Sequence, residues 1–222
     1  MDNIITVDVL SHTELSGYVM QVIASQPAEK AEKFKYTAGQ YVQLVVDQDP
    51  PRPFSIANTY DDNIIEFHIR HAPDNPFTKK LIQQIQQDKK LNFTGPFGEL
   101  RYQNYPKYPL LFIAAGTGLA PCKAIIEEAL KNPDHQEIYL YWTVRKQADL
   151  YWHEQLLAWT KKTDKFKYTP VISTEDRIDK IVLKNHMDFK KIHVYASGPE
   201  EMVLDIQQKL SEPPYFYSDW LS

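Results

Sequence analysis

The apolar positions change their spacing halfway along the chain. In the first half, short stretches at 4–10, 15–24, 41–46, 54–57, 64–71 and 91–94 are rich in β-branched and aromatic residues and predict strands. Ile64-Ile65-Glu66-Phe67-His68-Ile69-Arg70 partly alternates apolar and polar residues, the period of a half-buried strand. One helix interrupts this series. It covers 77–87, places Leu81, Ile82 and Ile85 on one face, and has Pro76 near its start. Short strands separated by turn clusters predict a small antiparallel barrel or sandwich.

The second half alternates strand and helix. Strands are predicted at 110–115, 138–143, 166–172 and 192–196, and helices at 120–131, 150–162, 179–184 and 200–210. This alternation predicts a parallel sheet with helices on both faces and right-handed crossovers. Tyr105-Pro106-Lys107-Tyr108-Pro109 interrupts both patterns. It divides the chain into an antiparallel β-barrel at 1–104 and an α/β domain at 105–222. Gly39, Gly95, Gly98, Gly116, Gly118 and Gly198 fall at predicted strand ends or tight turns, whereas Gly17 falls inside a predicted strand and marks a bulge.

Composition narrows the class. Of 222 residues, 43% are hydrophobic and 24% charged, the proportions of a globular protein. The formal charge is −4, which argues against a nucleic-acid partner. No apolar run approaches the roughly 20 residues of a membrane span. Met1-Asp2-Asn3-Ile4 does not read as a secretory signal, so the cytoplasm is the expected location. Cys122 is the only cysteine, which excludes an intrachain disulfide and a four-thiolate cluster. At the start of a predicted helix its thiolate has a stabilising setting, but the expected role is a small buried residue.

Two stretches point to chemistry. Arg52-Pro53-Phe54-Ser55 sets a cation, a rigid turn, an aromatic ring and a hydroxyl side by side. An isoalloxazine ring needs a flat apolar wall, which Phe54 offers. It also needs a hydrogen bond near N5, which Ser55 offers, and Arg52 balances phosphate charge. The same residues also fit a plain barrel strand with an arginine at its rim.

The second stretch, Phe112-Ile113-Ala114-Ala115-Gly116-Thr117-Gly118-Leu119-Ala120-Pro121, reads as strand, glycine turn and helix start, a site for pyrophosphate at the helix N-terminus. It is neither the six-residue dinucleotide fingerprint nor an ATP loop, since Pro121 replaces the third glycine and the lysine is missing. Ala196-Ser197-Gly198-Pro199-Glu200-Glu201-Met202 repeats the layout at the last predicted parallel strand. Two such turns at strand ends frame one nicotinamide pocket if they lie at a switch in strand order.

In this order the motifs resemble the ferredoxin–NADP reductase superfamily, and within it the small NAD(P)H:flavin oxidoreductases. Ala38-Gly39-Gln40-Tyr41, Gly95-Pro96-Phe97-Gly98 and Ser218-Asp219-Trp220-Leu221 complete the resemblance, which spans nearly the whole chain. It implies a flavin barrel followed by a nicotinamide-binding α/β domain. Flavin contacts are then expected from Arg52, Pro53, Phe54, Ser55, His68, Ile69, Arg70, Thr78, Asp219 and Trp220, with Ser55 as the catalytic residue. Nicotinamide contacts are expected from Gly116, Thr117, Gly118, Pro121, Arg145, Ser197, Gly198, Pro199, Glu200 and Met202. Arg145 either meets an adenosine phosphate or is a solvated loop arginine. Ser173, Thr174 and Arg177 suit a 2′-phosphate, but Glu175 and Asp176 oppose it, so NADH or dual use is expected ahead of strict NADPH use.

Three departures from the family pattern matter. Asn75-Pro76-Phe77-Thr78 stands where many FAD-holding relatives have Gly-x-x-Ser/Thr, which favours an exchangeable flavin: FMN, FAD or riboflavin. Ser197 replaces a cysteine of many relatives. The loop from 173 to 179 is short and lacks the Gly-rich segment of some relatives. No metal site is expected, because a spacing of three puts His68 and His71 on opposite strand faces, and His68 is expected to line the flavin site through its backbone.

The leading expectation is a flavin reductase, with a flavin-dependent oxygenase or another electron-acceptor protein as its candidate partner. The rival is a reductase component that retains FAD and feeds a separate iron–sulfur or haem protein. A non-catalytic nucleotide-binding sensor is the third reading.

Overall fold

A computed structural model describes residues 4–27, 34–72, 74–103, 107–186, 188–210, 213 and 215–219. Six strands form the first unit: β1 (Ile5–Ser16), β2 (Val19–Ser25), β3 (Tyr41–Val45), β4 (Arg52–Ser55), β5 (Ile64–Arg70) and β6 (Lys90–Phe97). They pair antiparallel in the order β4-β3-β6-β1-β2-β5. An Ile56↔Phe67 bridge and an Ala57 N–H bond to the Glu66 carbonyl (2.8 Å) join the two edges and close the barrel. Val22, Val42, Leu44, Ile65, Phe67, Ile69 and Phe93 fill it, with helix α1 (Pro76–Gln87) placing Leu81 and Ile85 in the same core.

Gly17 is not a bulge. With Tyr18 it forms the turn of a β1–β2 hairpin that pairs Ser16 with Val19, and the register shift falls just before it, between Glu14 and Ser16. The strand predicted at 4–10 runs on to Ser16 through exposed Ser11, His12, Thr13 and Glu14. Backbone pairing with β2 carries this arm, so it has no apolar face for the pattern to reveal.

The second unit contains β7 (Leu110–Ala115), β8 (Ile138–Val144), β9 (Phe166–Ile172), β10 (His193–Ser197) and β11 (Phe216–Tyr217). All pair parallel, in the order β11-β10-β7-β8-β9. The helices are α2 (Leu119–Leu130), α3 (His153–Lys162), α4 (Ile178–Asn185) and α5 (Glu200–Lys209). Phe112 and Ala114 pack with α2 residues on one face of the sheet. Leu111 and Ile113 pack with Ile178, Val182 and Ile206 of α4 and α5 on the other. The chain steps outward from β7 through β8 and β9, then returns so that β10 lies beside β7. That return is the switch in strand order.

Helix α3 starts three residues later than the 150–162 reading. Asp149 accepts the Lys146 N–H, and the following turn carries Tyr151 into the interior. Of the expected domain boundary, residues 104–106 lie outside the described residues. No helix among the described residues is long and apolar enough to cross a membrane.

Candidate active site

One cleft of about 890 Å³ runs between the barrel and the α/β unit. Pro53, Phe54, Ser55, His68, Arg70 and Thr78 line it from the barrel side. Gly116, Thr117, Gly118, Arg145, Ser197, Gly198, Pro199 and Met202 line it from the other, together with Asp219.

The barrel wall is built by strand pairing. Phe54 faces Val42 and Ser55 faces Tyr41 across the β3–β4 pair. The Phe54 ring is half-buried and stacks on Phe77 of α1, with centroids 6.2 Å apart. Ser55 ends β4, and its hydroxyl has no hydrogen-bond partner among the described residues.

The opposite wall is two turns in backbone contact. A Cβ at Gly118 would lie 2.3 Å from the Ser197 carbonyl oxygen, and one at Gly198 would lie 2.8 Å from Ala115 Cβ. Only glycine lets the ends of β7 and β10 approach this closely. Trp142 Nε1–H donates to the Gly116 carbonyl (2.9 Å) and holds the first turn from below. Thr143, at the end of β8, lines the cleft with a buried hydroxyl that has no partner among the described residues. Close-approach glycines, an uncommitted hydroxyl and the start of α2 fit a nucleotide's phosphates and ribose.

Phe112, Tyr195 and Tyr217 stack across β7, β10 and β11 at 4.9 and 4.8 Å. This ladder brings the C-terminal segment to the cleft, where Asp219 Oδ1 accepts the Leu100 N–H (3.2 Å). Burial pushes the Asp219 carboxyl up to about 6, against the pull of backbone hydrogen bonds. A raised carboxyl means that the folded state holds its proton more tightly than the unfolded state. Stability is therefore lost as pH rises through the interval between the ordinary value and about 6. Asp219→Asn is expected to raise Tm by roughly 5 °C at alkaline pH, with the gain shrinking as pH falls below about 6. Melting curves across that range check it.

The structure places other predicted residues elsewhere. Arg52 is exposed at the start of β4 and does not line the cleft. The Ile69 side chain alternates away from His68 and Arg70 into the barrel core. Pro121 is buried in the first turn of α2 and does not line the cleft, and Glu200 is exposed at the start of α5. Trp220 lies outside the described residues. His71 bonds to Glu14 rather than facing His68, and no metal-holding group of three or more His, Cys, Asp or Glu occurs among the described residues. Cys122 is fully buried, and burial pushes its thiol well above the usual range.

Sequence reading missed a buried charge network beside this cleft. Strand β5 is covered on both faces: Ile65, Phe67 and Ile69 point into the barrel, while Glu66 and His68 face the second unit. Lys123 of α2 is 3% exposed. Its Nζ contacts the Ala57 carbonyl (2.8 Å), Glu66 Oε2 (3.0 Å) and Glu127 Oε1 (2.9 Å), which occupies all three ammonium donors. Glu66 Oε1 accepts from Gln21 Nε2 (2.7 Å) and lies 2.9 Å from His68 Nε2. His68 Nδ1 lies 3.2 Å from the Tyr151 hydroxyl. The His68 side chain, rather than only its backbone, is thus tied into the interface. The available signals were a lone lysine in an apolar helix and a glutamate in an apolar strand.

Burial pulls the Glu66 carboxyl upward, but the His68 hydrogen bond and the Lys123 charge outweigh it and bring it down to about 2. Burial, helped by the nearby Lys123 charge, lowers the His68 imidazole against the upward pull of Glu66, and desolvation keeps Tyr151 protonated. These states fix the hydrogens. A carboxylate can only accept, so His68 donates from Nε2 to Glu66, and Tyr151 donates to Nδ1.

Comparison with known proteins agrees with this architecture. Residues 7–102 match the oxidoreductase FAD-binding domain and residues 112–208 the oxidoreductase NAD-binding domain. Terephthalate 1,2-dioxygenase reductase component 1 of Comamonas sp is 30% identical over 93% of this chain and 64% of its own length. The NAD(P)H-flavin reductase of Vibrio harveyi is 27% identical over 75% of this chain and 76% of its own. The ferredoxin NADP+ reductase from Neisseria gonorrhoeae, solved with bound FAD and NADP, superposes with a TM-score of 0.81 at 19% identity, covering 96% of this chain and 92% of its own. The chain spans from 38% to 64% of the length of several curated relatives that it matches.

Proposed function

The chain belongs to the ferredoxin–NADP reductase superfamily, and from that premise we propose that it is an NAD(P)H:flavin oxidoreductase whose flavin is an exchangeable substrate. The observation that carries this reading is the single cleft in which Phe54 and Ser55 share walls with the two glycine turns. When bound, the reduced nicotinamide supplies a hydride from C4 and the flavin accepts it at N5. The chain itself contributes position and electrostatics. Phe54, braced by Phe77, offers a flat wall, and Ser55 offers an uncommitted hydroxyl to the charge arriving at N5. The touching Gly118 and Gly198 turns cradle the nicotinamide nucleotide.

Exchange is favoured by the start of α1. Pro76 has no N–H, and the Thr78 N–H is already bonded to Asn75 Oδ1 (3.2 Å). Two of the first amides that would grip a pyrophosphate are therefore missing or occupied. On the nucleotide side, Arg177 is held by Asp179 and Asp205 at 3.0–3.1 Å, which leaves Arg145 as the cleft-lining arginine there. That balance favours NADH, or dual use, over strict NADPH use. The reading includes a cytoplasmic setting, consistent with one free, buried cysteine.

A second reading is a reductase component that keeps its flavin and passes electrons to a partner protein. It is favoured by similarity to the terephthalate dioxygenase reductase component. The test is the colour and flavin dependence of the purified protein. A colourless protein that oxidises NADH only with added FMN, FAD or riboflavin is the expected result. A yellow protein with one flavin per chain and little response to added flavin overturns exchange in favour of the second reading.

A further inference from the structure

The buried network at the interface closes on itself. From Gly116, the path runs through the Trp142 indole to the Tyr151 ring, which meets it edge-on at 5.0 Å. It continues from the Tyr151 hydroxyl to His68, then Glu66, then Lys123. Lys123 lies on the helix that begins immediately after the Gly116–Gly118 turn. The Trp152 ring closes the remaining side, 5.3 Å from both Lys123 Nζ and the His68 ring centroid. Two of these links, Tyr151 to His68 and Glu66 to Lys123, join the unit that builds one wall of the cleft to the unit that builds the other.

We propose that Lys123 is a positioning residue for hydride transfer, locking the nucleotide-turn helix α2 onto the flavin-side strand β5 through Glu66 and holding His68 as the Nε2–H tautomer. This rests on the oxidoreductase reading above. An exposed pair would not serve, because solvent screening leaves it weak and its side chains free to move. Lys123 has no such freedom. Its three acceptors come from the Ala57 backbone, from β5 and from its own helix. Sliding α2 against the barrel would strip Lys123 of its Ala57 and Glu66 acceptors and leave the buried Glu66 carboxylate without its cation, which low-dielectric surroundings penalise heavily. Reacting atoms need this kind of restraint, since a misplacement of about 1 Å can cost roughly 100-fold in rate.

The groups facing the Glu66–His68 pair are Lys123 and Glu127 from α2, Tyr151 and Trp152 from the segment before α3, and Gln21 from β2. Asn58, on the barrel side, accepts the Glu66 N–H (2.8 Å). None of them supplies a second cation to replace Lys123.

The first test uses the wild-type protein without nucleotide or flavin. Nitrogen NMR of His68 is expected to show a neutral ring protonated at Nε2 around neutral pH. An imidazolium, or a ring protonated at Nδ1, overturns the proposal whatever the enzyme's activity. The second test compares Lys123→Met with the double variant Lys123→Met, Glu66→Gln. The single variant strands the carboxylate and is expected to melt well below wild type. The double variant removes both charges and is expected to regain most of the lost Tm. Its flavin-reduction rate at saturating NADH is nevertheless expected to stay about 10- to 100-fold low, with KM for NADH little changed. A double variant that recovers wild-type turnover would show that Lys123 serves stability alone. A double variant that fails to fold leaves the NMR result to decide. If wild type reduces no flavin under any condition, the oxidoreductase reading has failed, while the His68 tautomer still reports on the network.

Discussion

Gly118→Ala is expected to abolish NAD(P)H oxidation, by 100-fold or more, while leaving flavin binding intact. The added methyl would stand 2.3 Å from the Ser197 carbonyl oxygen, 2.6 Å from its carbon and 3.0 Å from the Gly198 nitrogen. These are backbone atoms, so no side chain can swing aside. The Gly116–Gly118 turn and the Ser197–Gly198 turn must separate, which widens the cleft where the nicotinamide is to be held. A small-to-large change of this kind costs about 1–3 kcal/mol in stability, so the protein should still fold. Flavin binding reports the other wall, since Phe54 and Ser55 belong to the barrel. Gly17→Ala is the matched control, because nothing lies within 4 Å of a Cβ at that hairpin turn. Fluorescence titration with FMN and steady-state rates with NADH check both variants. Near-normal NADH oxidation by Gly118→Ala would remove the paired glycine turns from the nicotinamide site.

Ser55→Ala is expected to slow flavin reduction about 100-fold or more, the usual cost of losing one donor aimed at developing charge. Stability should hardly change, since the hydroxyl has no protein partner among the described residues and Ser55 is only half-buried. The loss should fall on the rate at saturating substrate, with KM for NADH nearly constant, because the missing bond serves the transition state. Rapid-mixing measurement of flavin bleaching isolates that step. Unchanged bleaching would take Ser55 out of the mechanism and leave Phe54 and the two turns as purely positional elements.

Much of this arrangement was legible in the amino-acid order. Leu110–Ala115 is a strand with the bounds that its apolar run predicts, because a parallel strand covered on both faces has no polar positions to blur its ends. Arg52-Pro53-Phe54-Ser55 and the two glycine turns were legible as chemistry because each packs unusual residue types into a few positions. Their placement depended on strand order, which brings β10 back beside β7 and sets Ser197 against Gly118.

Other features were hidden for physical reasons. The outer arm of β1 is held by backbone bonds along exposed polar residues, so its side chains carry no strand signature. Glu66 looked like the solvent side of a half-buried strand, and its partner Lys123 stands 57 residues away. Only the packing of α2 against the barrel turns that polar face into an interior one. Arg52 illustrates the converse. Its charge and neighbours suggested a ligand, yet as the first residue of β4 it is exposed and stands apart from the cleft lining.

One cleft is expected to pass a hydride from a nicotinamide nucleotide to a flavin, and anaerobic mixing with NADH deuterated at both C4 positions tests this most directly. With free FMN supplied, flavin is expected to bleach on mixing, more slowly with the deuterated nucleotide than with the ordinary one, and deuterium is expected to leave the nucleotide. No bleaching with FMN, FAD or riboflavin, or bleaching with no loss of deuterium, would contradict it.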